Sequence, residues 1–166
     1  MLCPSCRFDN FEGDDTCSHC GADLATSDIP QPAVDFHDTI LGDHIDRLGL
    51  GSPTTVDPQM PVADAIRHMH EADTDCVLVT EGGQLIGIFT DRDAVVKVAG
   101  KRQDAFDVRD FMTPDPVVLR HDDTIAVAIH KMAVGEFRHL PITEDGRPIG
   151  VVSAADLFRH LVESLG

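Results

Sequence analysis

Four cysteines crowd the start of this chain. They stand in "CPSCRFDNFEGDDTCSHCGADL" as Cys3, Cys6, Cys17 and Cys20, spaced C-x2-C-x10-C-x2-C. Two residues between cysteines let both thiolates of a tight turn face one point. Two such turns supply four sulfur ligands for a tetrahedral ion, and zinc is favoured over iron because structural zinc is the commoner use of four thiolates. His19 lies inside the second turn and is a competing ligand. Two disulfides are the alternative, and they need an oxidising compartment. The opening "MLCPSC" carries no basic stretch followed by an apolar run, so the expected compartment is the cytoplasm. A four-thiolate site has no open position for water, so its chemistry is structural.

A second set of residues recurs. "GIFTDRD" at 87–93 and "GVVSAAD" at 150–156 each end an apolar run with a hydroxyl, then a carboxylate three residues later. Two carboxylates invite an acid/base reading, but no nucleophile, metal or oxyanion donor set stands near them, so no enzyme is expected. Two readings stay open. A hydroxyl and an acid at N-cap and N3 form a capping box, a local stabiliser of the helix start. The same hydroxyl with the free first-turn amides makes a phosphate site, and the carboxylate can accept from both hydroxyls of a ribose.

These residues need elements to position them. A shift of 63 residues sets 45–93 onto 108–156 without a gap, with identities at Ala63/Ala126, Ile66/Ile129, Met69/Met132, Gly87/Gly150 and Asp93/Asp156 among others. Each copy opens with a short extended piece, "TTV" or "VVL". A helix follows, "PVADAIRHMHEA" or "TIAVAIHKMAVG", with apolar residues at helical spacing. Then come a strand, a tight turn ("EGGQ" or "EDGR"), a second strand and a second helix, "AVVKVA" or "LFRHLVESL". The expected class is α/β (α+β), β-α-β-β-α twice. Ahead of it, "TILGDHIDRLGL" puts Ile40, Leu41, Ile45 and Leu48 on one stripe and predicts a short amphipathic helix. That helix and the C-terminal one leave apolar stripes to be covered, which predicts a homodimer.

Each copy resembles a CBS motif, the cystathionine-β-synthase-type domain. "VRDFMTPDPVVL" and "FRHLPITEDGRPIGVVSAADLF" carry the likeness, over about residues 39 to 166. It implies two motifs packed through their sheets as a pseudo-twofold pair with two clefts, commonly dimeric, that bind adenine nucleotides and regulate something else. It implies hydroxyl to phosphate and Asp to ribose, with each cleft borrowing its base wall from the other motif. Asp93, with Thr90 and Arg92, would face Val117, Phe137 and Arg138. Asp156, with Ser153 and Ala155, would face Thr54, Val56 and Asp75. Arg138 and His139 would bring positive charge to a phosphate, though His139 reads equally as a packed strand residue opposite its twin Cys76. Ala154 and Ala155 replace Asp91 and Arg92 in the second cleft, and Asp75 there would repel a phosphate or bond an adenine amine. The N-terminal segment is similar to short zinc ribbons at Cys3-Pro4, Asn10, Cys17, Cys20-Gly21 and Leu24, with Arg7 where Gly is usual.

Composition bounds the rest. The 166 residues carry 29 acids against 13 bases, a net charge of −16. Such a surface disfavours nucleic acid and anionic membranes. Residues 1–38 hold Arg7 as their sole Lys or Arg, which counts against nucleic-acid binding by the ribbon. No apolar run is long enough to span a bilayer. His37, His44, His121, His130 and His160 are expected to face solvent. The expected organisation is a zinc ribbon (1–24), a linker (25–38) and two CBS motifs (39–102 and 103–166). The expected function is regulatory: an adenine nucleotide (AMP, ADP or ATP; S-adenosylmethionine is not distinguished) is sensed and relayed to an unidentified protein partner. The rival readings are a ligand-free dimeric scaffold and nucleic-acid binding through the ribbon.

Overall fold

The two hairpin turns set the frame. "EGGQ" places Gly82 and Gly83 at φ of 60° and 81°, and "EDGR" places Asp145 and Gly146 at 48° and 77°. Two consecutive left-handed residues make the type I′ turn whose twist suits a two-residue hairpin. The structure, a computed structural model, describes residues 8–10, 16–21, 42–102 and 105–165. The chain divides into two units, Met1–Phe36 and His37–Gly166.

In the larger unit the elements run β1 (Thr55–Val56), α1 (Val62–Glu71), β2 (Cys76–Glu81), β3 (Gln84–Thr90), α2 (Asp91–Asp93), β4 (Thr113–Pro114), α3 (Ile125–Gly135), β5 (His139–Glu144), β6 (Arg147–Ser153) and α4 (Ala154–Leu165). α2 runs on as a π-helical turn, Ala94–Val98. The first sheet has the order β1-β2-β3-β4, and the second pairs β5 with β6. β1 lies parallel to β2, whereas β2/β3 and β5/β6 are antiparallel. The "VVL" piece contributes only a bridge, Leu119 to Ile142, the counterpart of Val56 to Val79. Both hairpins shift register at the same point, Val79/Thr80 and Ile142/Thr143.

Each motif builds most of its own core on this plan. Val56, Val62, Ala65, Met69, Val77, Val79 and Phe89 bury the first. Leu119, Ile125, Ala128, Met132, Leu140, Ile142 and Val152 bury the second, position for position. A smaller cluster of Cys76, Leu78 and Ile88 takes Leu85 and Val151 against it, and so joins the two sheets. β2 is therefore buried on both faces, which is why "CVLV" shows no alternation.

The segments that lead into the motifs cross over. Ile45 packs in the second core, and the Ile45 N–H donates to Asp123 O (3.1 Å) while Ile125 N–H donates to Asp43 O (2.8 Å). Val108 and Phe111 pack in the first core, and Val62 N–H donates to Phe106 O (3.0 Å) while Val108 N–H donates to Met60 O (2.9 Å). The bridges His44 to Thr124 and Pro61 to Asp107 are one arrangement made twice.

Two expectations are corrected here. "TILGDHIDRLGL" gives, among its described residues, a single 3-10 turn, Ile45–Leu48, stopped by Gly49 at φ 61°. Its Ile45 is spent on the second core and forms no exposed stripe; Ile40 and Leu41 lie outside the described residues. His160 does not face solvent: its side chain is 16% exposed and its Nε2 lies 3.4 Å from Asp43 Oδ2. No helix among the described residues is long and apolar enough to cross a membrane.

Candidate functional site

Thr90 ends β3 in extended conformation and caps α2. Its backbone N–H (3.0 Å) and hydroxyl (2.9 Å) both donate to Asp93 Oδ2, and the Asp93 N–H donates back to Thr90 Oγ1 (3.2 Å). Lys97 Nζ holds the other oxygen, Oδ1, at 2.8 Å. Ser153 and Asp156 repeat the design, with Ser153 N–H (2.9 Å) and hydroxyl (2.6 Å) donating to Asp156 Oδ2 and Asp156 N–H donating to Ser153 Oγ (3.1 Å). Arg159 takes Asp156 Oδ1 at 3.2 Å. The capping geometry is thus present in both copies, and both carboxylates are engaged.

A cavity of about 180 Å³ opens beside the first cap. Motif one lines it with Ile88, Thr90, Asp91, Arg92 and Asp93, and motif two with Pro116, Val117, Glu136, Phe137, Arg138 and His139; Thr113 completes it. The six residues assigned to this cleft from sequence therefore share one cavity, and His139 joins them. Ile88, Val117 and Phe137 offer flat apolar contact, while Arg92 and Arg138 bring charge to the same space. Ile88, Asp91, Thr113, Pro116 and Glu136 were not singled out from sequence. The internal repeat could have found Pro116, which matches Pro53.

The second cavity, about 170 Å³, is lined by Gly51, Ser52, Pro53, Thr54, Ala72, Thr74, Cys76 and Val151. Pro53, Thr54, Thr74, Cys76 and Val151 are the repeat equivalents of Pro116, Val117, Phe137, His139 and Ile88. Thr54 lines this cavity, without Asp156, which it was expected to face. Val56 does not: its side chain is 3% exposed and belongs to the first core. Asp75, Ser153, Ala155 and Asp156 are not among the lining residues; Asp75 stands between two that are. Thr74 was overlooked, although it is the equivalent of Phe137.

Burial tunes two groups here. The Cys76 thiol is pushed up to about 12, by burial first, with Asp75, Asp91 and Asp156 adding to it and a Thr74 hydrogen bond opposing it. Such a thiol is an inert packed residue at neutral pH. The His139 imidazole is pushed below 6.5, again by burial first and also by Arg138, against the pull of Asp75, Asp91 and Asp156. His139 is therefore both half-buried and a wall of the first cavity.

In the N-terminal unit, Cys17 is buried and its carbonyl accepts from Gly21 N–H (2.8 Å), with Gly21 at φ 72°. The buried Asn10 donates to Cys17 Sγ (3.6 Å), and its Oδ1 accepts from Ser18 N–H (3.0 Å) and hydroxyl (3.1 Å). No group of three or more His, Cys, Asp or Glu placed to hold a metal occurs among the described residues, and Cys3 and Cys6 lie outside them.

Comparison with known proteins follows this geometry. CBSCBSPB2, a CBS domain-containing protein of Arabidopsis thaliana, is 32% identical over 142 residues, which is 84% of this chain and 25% of that protein. The chain thus spans a quarter of that relative's length. The CBS-domain containing protein ATU1752 from Agrobacterium tumefaciens superposes with a TM-score of 0.62 at 34% identity, covering 69% of this chain and 93% of that one. CBSX2, solved in complex with AMP, has the same fold at a TM-score of 0.65 and 22% identity, covering 75% of this chain and all (100%) of its own. The family description for the CBS domain matches twice, at residues 50–100 and 108–163, and the chain belongs to the CBS domain family as a tandem pair.

Proposed function

We propose that this protein is a non-enzymatic regulatory module that senses an adenine nucleotide in its first cleft and relays occupancy to a protein partner. One observation carries the reading: a single cavity gathers Thr90, Arg92 and Asp93 from one motif with Val117, Phe137, Arg138 and His139 from the other. Val117 and Phe137 suit a base, Asp93 suits a ribose, and Arg92 with Arg138 suits a phosphate in a chain of net charge −16. A ligand spanning both motifs favours one arrangement of the pair, which is what a relay needs. That CBSX2 was solved with AMP supports the ligand class. Titration of AMP, ADP and ATP by calorimetry tests it, with a matching rise in melting temperature. Absence of binding for all three would remove the reading.

The N-terminal segment is read as a structural zinc ribbon on Cys3, Cys6, Cys17 and Cys20. The described half fits a metal knuckle: Cys17 and Cys20 sit in a tight turn closed by Gly21, and Asn10 N–H points at a cysteine sulfur. The π-helical turn after α2 carries Val95 and Val96, and α4 carries Phe158 and Val162, at 70%, 71%, 68% and 51% exposure. That surface supports a homodimer, which light scattering would report as twice the chain mass. One observation favours the scaffold reading instead. Asp93 and Asp156 already have both oxygens engaged, so a ribose hydroxyl must share Oδ1 with Lys97 or Arg159 or displace that cation.

A further inference from the structure

The two clefts are built on one plan and carry opposite chemistry. We infer that the second cleft takes an uncharged adenosine-type ligand and rejects its phosphorylated form, so that phosphate is recognised in the first cleft alone. This rests on the nucleotide reading of the first cleft given above. Arg92 and Ala155 correspond, as do Arg138 and Asp75, and His139 and Cys76. Three groups that face an anion favourably become a methyl, a carboxylate and a thiol. The first cavity is lined by Arg92, Arg138 and His139; the second has no Lys, Arg or His among its described lining residues.

The surroundings do not restore the missing charge. Arg159 is the cation at the start of α4, and it is committed to Asp156 at 3.2 Å. Burial first, and then the charges of Asp75, Asp91 and Asp156, hold the proton on the Cys76 thiol in the cavity wall. A phosphate brought there would shed water and meet no cation among the described lining residues, with the Asp75 carboxylate carried between two of them, Thr74 and Cys76, which is unfavourable on both counts. A neutral nucleoside faces neither cost. Ser52, Thr54 and Thr74 offer it hydroxyls that both donate and accept.

Counting sites tests the inference. Calorimetry on the full chain should find one AMP site but two adenosine sites per chain. Asp75→Arg, at an exposed position whose backbone carbonyl keeps its bond from Asp91 N–H, should add a second AMP site or tighten a weak one by about tenfold or more. Arg138→Ala should weaken AMP and leave the adenosine count at two. Two AMP sites of like affinity in the parent protein, or a single adenosine site, would overturn the inference and leave the first-cleft reading standing. No AMP site at all would overturn both.

Discussion

Thr90 and Asp93 do two things with the same atoms. The carboxylate closes the helix start through Oδ2 and holds Lys97 through Oδ1. A bound ribose would share Oδ1 with Lys97 or take its place, and leave the cap intact. Asp93→Ala is therefore expected to lower stability by about 0.5–2 kcal/mol through the lost cap and to weaken AMP by about 1–3 kcal/mol through the lost acceptor. Asp156→Ala should show the stability loss without the AMP loss. Denaturant melts and calorimetry on both variants check this, and unaltered AMP affinity in Asp93→Ala would leave only the cap. His139 carries a second residue-level expectation. Burial and Arg138 depress its folded value below 6.5, against Asp75, Asp91 and Asp156. The unfolded chain then binds the proton more readily, so stability is full above about pH 6.5 and falls as pH drops through the folded value. His139→Asn should flatten melting temperature against pH between about 7 and 5. A parallel curve for parent and variant would show that His139 does not carry the dependence.

At the scale of elements, turns and the repeat decide most of the fold. Gly83 sits at φ 81° with nothing within 4 Å of where a Cβ would be, so its constraint is backbone alone. Gly83→Val should cost about 1–2 kcal/mol, and thermal melts that match the parent's would contradict the type I′ assignment. The gapless repeat made α1, α3 and both hairpins legible, because an apolar period and a glycine turn are local properties. The first cleft was legible through the resemblance to CBS motifs, which implies that each cleft takes its base wall from the other motif. Other features were not local. Ile45 and Leu48 fit a helical stripe, yet Ile45 is fixed by the second core across the chain. β4 is two residues long and pairs only because Gly87 and Ile88 offer an open edge. Val56 looked like a cleft wall, but Val62 and Val79 take it into the core. The π turn after α2 has no period a sequence would reveal.

For the whole molecule, the two units should fail separately. Among the described residues, every member of these three buried clusters lies between Ile45 and Leu157. Cys17→Ser should abolish binding of about one zinc per chain by elemental analysis, while the main melting transition and AMP affinity stay at parent values. A lowered main transition would tie the ribbon to the pair's stability. The crossed lead-in segments have a consequence of another kind. Residues 43–45 complete the second motif's core and residues 106–111 complete the first's. A lone motif would have to borrow that piece from a copy of itself, and two identical copies impose two identical clefts. Joining both halves on one chain removes that obligation. A substitution such as Arg138 opposite Asp75 is then inherited by one half only, and the two clefts are free to diverge in what they bind.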